Sequence, residues 1–165
     1  MPARAVPQES PTLSDAGTPS QRFPWEVISG PSGRSIVLVS FDGAYAPGSQ
    51  GNGFARLMKN HLDSILANTN AAGVVIDFTN LQYTWGDAIA TLAMSLMRYE
   101  TVSVGESPRI IGVRPAAVVA TGPTAKALRP LFAANFLFAI AGVELAGTRA
   151  AAIAHVERAL STAPR

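Results

Sequence analysis

Residues 73–92, GVVIDFTNLQYTWGDAIATL, constrain the fold more than any other stretch of this chain. Val74, Val75 and Ile76 form an unbroken β-branched run that ends in an acid, Asp77. A run with no polar face is the pattern of a strand covered on both sides. A short polar turn follows, and then a helix opening at Gly86 and Asp87, with Ile89, Leu92, Ala93 and Leu96 on one side at helical spacing. Strand, turn and helix in this order belong to an α/β sheet. The turn presents backbone N–H groups and short side chains at the C-terminal edge of the sheet, where such folds carry function.

The rest of the sequence supplies further elements around that strand. Residues 1–24 are dense in Pro, Ser, Thr, Gln and Gly and poor in large apolar groups, so they read as a disordered tail. Residues 25–165 read as one domain, a size suited to the chain of 165 residues. Trp25–Ser29 and residues 35–41 are strands joined as a hairpin by Gly30–Gly33. The loop 42–53 is rich in glycine but lacks the GK[ST] ending of a phosphate loop, so its glycines read as turn chemistry. Residues 53–68 are helical, with Phe54, Leu57, Met58, Leu62, Ile65 and Leu66 at intervals of three and four. After a loop at 101–108, Arg109–Val113 is a short buried strand. Pro123 suits the first turn of a helix running towards Phe136, in which Pro130 is a conflict that kinks or divides it. Residues 138–143 are expected as the last strand, and Thr148 as the cap of a final helix through Leu160. The order β–β–α–β–α–β–α–β–α predicts a mixed, partly parallel sheet of about five strands with helices packed on it.

Composition narrows the chemistry. Without cysteine there are no disulfides, thiolate catalysis or cysteine-ligated metals. His61 and His155 are far apart in sequence and each falls in a helical pattern, so no metal site or cofactor is expected. The net charge is +2 and the arginines are scattered, with no basic stripe bearing aromatics; nucleic acid is not an expected partner. No apolar run reaches the roughly 18–20 residues of a membrane span, and no signal sequence opens the chain, so a cytoplasmic location is expected. Charged residues are only 15% against 48% hydrophobic, which suggests that a partner covers part of the surface.

The element order and the segment DFTNLQYTWGDAIATL resemble the STAS domain, the fold of anti-sigma-factor antagonists and of the cytoplasmic domains of sulfate transporters. Asp77 and Phe78 match the strand end of that pattern, Leu81 and Tyr83 the apolar positions before its turn, Trp85 to Ala88 the turn, and Ile89 and Leu92 the start of its helix. RIIGV is similar to the next strand, AKALRPLFAANFLFAI to the helix leading into the last strand, and GTRAAAIAHVERAL to the final helix, so the likeness spans residues 25–160. The resemblance implies a non-catalytic module that binds a regulatory protein, an anti-sigma factor or a kinase-like partner, with self-association as an equal use of the surface.

In the switched members of that family a serine of the turn accepts phosphate, and the new charge disrupts the partner interface. Here Gly86 stands at that position, so no phosphoacceptor is expected there; Thr84 is a weak candidate only if the alignment slips. Asp87 reads as a helix N-cap or as a fixed negative charge facing a partner. Trp85 is either a lid on the core or an exposed anchor. The expected partner-binding residues are Thr84, Trp85, Gly86, Asp87, Ile89 and Ala90.

Two other readings compete. Gly86–Asp87 after a strand is similar to the oxyanion hole of the crotonase (enoyl-CoA hydratase) fold. That fold takes a much longer chain, and Asp42, Asp77 and Asp87, the acids at strand or turn ends, make no evident acid/base pair. A small-ligand-binding domain is the third reading, since abundant Ala and Gly permit a pocket without indicating one.

Overall fold

A strand without a polar face must be sheltered from both sides, and residues 73–77 lie buried at the centre of a five-stranded sheet. The computed structural model describes residues 23–100 and 109–162. Along the chain come β1 (Trp25–Ser29), β2 (Ser35–Ser40), β3 (Gly43–Ala44), α1 (Asn52–Thr69), β4 (Gly73–Asp77) and β5 (Leu81–Gln82). They are followed by α2 (Leu92–Ser95), β6 (Met97–Glu100), β7 (Arg109–Val113), β8 (Ala116–Val119), α3 (Gly122–Ala134), α4 (Phe136–Ala141), β9 (Glu144–Ala146) and α5 (Arg149–Thr162). Two 3₁₀ turns, Gly48–Gly51 and Asp87–Thr91, precede α1 and α2.

The sheet order is β1-β2-β4-β8-β9. β1 and β2 form the expected antiparallel hairpin, and β2, β4, β8 and β9 run parallel. The protein is therefore a mixed α/β fold with helices packed on a partly parallel sheet. Alternation along each strand sends side chains to opposite faces. Val37, Val39, Val74, Ile76, Ala116 and Val118 point into one core with α1 and the elements around α2 and α3. Ile36, Leu38, Val75, Ala117 and Val119 point into the other, closed by Ala152, Val156 and Leu160 of α5. Asn70, in the left-handed conformation at φ 49°, ends α1 and returns its amide to the Leu66 carbonyl at 3.2 Å. Among the described residues no helix is long and apolar enough to cross a membrane. Residues 1–22 of the expected tail, and the loop at 101–108, lie outside the described residues. Phe23, which belongs to that tail by the sequence reading, packs against Phe41 and Phe54.

Several elements differ from the sequence reading. Arg109–Val113 is a strand, but it pairs antiparallel with β6 in a separate ribbon. Its place in the main sheet belongs to β8, AAVV, all four residues of which are buried. Ile111 of β7 is exposed, which a strand covered on both faces does not allow. Residues 138–143 are not a strand: α4 occupies most of them and the last strand is β9. The Asn135 side chain accepts the Leu137 amide at 2.9 Å to open α4, and Gly142 at φ 59° closes it. The helix expected to open at Gly86–Asp87 is a 3₁₀ turn followed by one α-turn, and the chain is already a strand at Met97. Asp87 does not cap it. Gly86 takes the cap position, and no side-chain cap bond forms. α3 runs through Pro130 without dividing.

Candidate functional site

The C-terminal edge of β4 is fixed first by its terminal acid. Asp77 is 2% exposed; one carboxylate oxygen accepts the Thr79 amide at 2.7 Å and the other pairs with Nε of Arg149. The same guanidinium donates to Ser40 Oγ at 3.2 Å, so the start of α5 is tied to the ends of β2 and β4. Asp77, weighed above for acid–base work, is thus engaged on both oxygens.

From there the chain is pulled sideways. β5 pairs in parallel with β3, the Tyr45 amide donates to the Gln82 carbonyl at 3.0 Å, and Thr124 Oγ1 donates to the Leu81 carbonyl at 2.6 Å. This lays Tyr83 and Tyr45 edge-to-face beneath the turn, ring centres 5.3 Å apart and both buried. The Tyr83 hydroxyl donates to the Gly86 carbonyl at 2.9 Å. Burial, then the neighbouring Tyr45 and the Asp87 charge, push the Tyr83 phenol up to about 12, so the proton of that bond stays in place through neutral pH. Burial pushes Tyr45 up as well, with the nearby Ile89 backbone opposing and Asp87 adding to the shift. The Tyr45 hydroxyl makes no full hydrogen bond among the described residues.

Above this floor the turn is held open. Gly86 has φ 142° and ψ 128°, and a Cβ there would stand 3.1 Å from the Tyr45 ring. The Gly48 amide donates to the Trp85 carbonyl at 3.3 Å, and a Cβ on Gly48 would come within 2.5 Å of the indole. Trp85 therefore lies across the bare backbone of Gly48 with 62% of its surface exposed. It is exposed at the surface and is not a lid on the core.

Thr84 and Asp87 are exposed beside it. Ile89 and Ala90 are not: they are 1% and 2% exposed, so they seat the turn in the core and cannot touch a partner directly. The 3₁₀ turn sends Ile89 into the main core and Ala90 under α4, where Ala90 and Ala93 meet Phe138. α4 packs against this turn and α2, and it carries Phe136 and Ile140 one helical turn apart and exposed.

Gly48, Tyr45, Phe136 and Ile140 were not singled out by sequence reasoning. The usable signal was Gly48 itself, a glycine ahead of α1 in the loop 42–53, which the structure shows at φ 59°. Among the described residues no three histidine, aspartate or glutamate side chains gather as a metal ion would need. The cleft lined by Lys59, Ser95 and Arg114 lies on the α1 side of α2, and Asp87 does not line it. Compared with known proteins, the chain matches no family model, no curated protein and no solved structure.

Proposed function

We propose that this chain is a non-catalytic, STAS-like interaction module that binds a regulatory protein, anti-sigma-factor-like or kinase-like, through the turn Thr84–Asp87 without a phosphoserine switch. The observation that carries this reading is Trp85, presented to solvent on a turn braced by the Tyr83–Gly86 hydrogen bond and by Gly48. A rigid, exposed indole is the kind of residue that dominates binding energy at protein interfaces. Gly86 offers no hydroxyl to phosphorylate, while Asp87 next to it presents a carboxylate at the surface. The exposed Phe136 and Ile140 of α4 enlarge the apolar surface a partner could cover.

The test is affinity capture with the wild type, Trp85→Ala and Asp87→Lys, alongside sedimentation to score self-association. Truncating an anchor of this type costs about 2 kcal/mol or more of binding. A protein or second copy bound by the wild type is therefore expected to lose about thirtyfold or more in affinity with Trp85→Ala. Partners recovered equally by all three proteins would overturn the reading.

A further inference from the structure

Away from that turn, an open cleft of about 420 Å³ lies between α1, α2 and Arg114. The volume is that of a small-molecule site. Its lining is divided: Leu66 and Met94 give an apolar wall, while Lys59, Asp63, Ser95 and Arg114 supply polar groups.

Those polar groups are unequally engaged. Lys59 and Asp63, one turn apart on α1, neutralise each other as an ion pair. Arg114 is held by its amide, which donates to the Leu96 carbonyl at 2.8 Å, and by Nε, which donates to the Ala71 carbonyl at 3.2 Å. Its terminal amino groups make no hydrogen bond among the described residues, so a fixed fork is left with donors to offer. Burial, and secondarily the charge of Arg98, lower its pKa. Ser95 is the second, independent sign. It is 7% exposed and lines the cleft, and its hydroxyl oxygen, closed off from solvent, has no hydrogen-bond partner. A buried hydroxyl left unpaired costs free energy that a ligand atom would recover.

We propose that this cleft binds a small amphiphile headed by an oxyanion, a carboxylate or a phosphate monoester, with Arg114 and Ser95 on the head group and Leu66 and Met94 along its apolar body. The inference stands apart from the turn at Trp85 and survives if that reading fails.

The test is a ¹H–¹⁵N NMR titration of the full chain with hexyl phosphate and with hexanoate, using hexanol and hexylammonium as controls. One or both anions are expected to shift the Leu66, Ala67, Ser95 and Arg114 amides saturably, and which one does so assigns the head group. Loss of a charge-assisted contact predicts about a tenfold weaker affinity for hexanol and for Arg114→Gln. Arg114 also braces Ala71, so Ala67→Glu provides a variant that disturbs no packing: Ala67 is exposed on α1 and a carboxylate there opposes an anion. It is expected to weaken anion binding by a similar factor at unchanged thermal stability. No saturable shift at millimolar anion, hexanol binding as tightly as the anions, or an Ala67→Glu affinity equal to wild type would each overturn the proposal.

Discussion

Gly86 has φ 142° and ψ 128°, a backbone conformation that residues with a side chain rarely adopt. On the proposed STAS-like reading this is the phosphate-accepting position, and a serine cannot occupy it at ease. Gly86→Ser is therefore expected to cost about 1–3 kcal/mol of stability rather than install a switch. A urea titration reads this as a lower midpoint at unchanged slope; an unaltered midpoint would show that the glycine conformation is dispensable. The identity of the turn residues was legible in the sequence because Trp85, Gly86 and Asp87 stand between two clear apolar patterns. The pose of Trp85 was not. It depends on Gly48, brought beneath the indole by the parallel pairing of β3 with β5, a contact between residues 37 positions apart by numbering (85 − 48).

Elements were legible where one signal dominated. Six buried residues of α1 fall at helical spacing, and the β1–β2 hairpin has its Gly–Pro–Ser–Gly turn. Where the chain is uniformly apolar the signal fails, because a short apolar run fits a buried strand and a buried helix alike. Residues 136–141, FLFAIA, became a helix once Asn135 capped the run and Gly142 ended it. β8 escaped notice for the opposite reason: two of its four residues are alanine, a weak strand former that nevertheless fits between β4 and β9.

α1 also carries a pH-sensitive seat for the segment before β1. His61 packs against Phe23 at 5.4 Å and bonds through Nε2 to the Phe23 carbonyl at 3.0 Å. Burial pushes its pKa below the ordinary 6.5, partly opposed by that carbonyl. The unfolded chain then takes up the proton first, so the contribution of neutral His61 is full above pH 6.5 and is lost as pH falls through 6.5 towards the folded pKa. Urea midpoints measured from about pH 7.5 down to about 5.5 are expected to fall, and His61→Phe to fall less steeply. Parallel slopes for the two proteins would assign the pH dependence to other groups.

At the scale of the whole molecule the two faces of the sheet are built unequally. Among the described residues, one is covered by α1 and the elements around α2, α3 and α4, the other by α5 alone. The last helix therefore has to hold the N-terminal hairpin as well as cover the sheet, and Glu157 makes that link. It is 8% exposed, and one carboxylate oxygen accepts the Ser32 amide at 3.0 Å across 125 residues of chain. The approach is close enough that a Cβ on Gly30 would overlap the Glu157 carboxylate. Because the obstructing atoms are the end of a flexible side chain, Gly30→Ala is expected to displace the carboxylate rather than unfold the hairpin. Gly30→Ala and Glu157→Ala then remove the same hydrogen bond by different routes, each costing about 1.5–3 kcal/mol, the range for a bond to a charged group. Variants that abolish one shared interaction do not add. The double variant is expected to match the more damaging single one in urea unfolding, so that Glu157→Ala costs little once Gly30→Ala is present. Additive losses would mean that Gly30→Ala leaves the Glu157 bond in place and that Gly30 supports the turn by a route of its own.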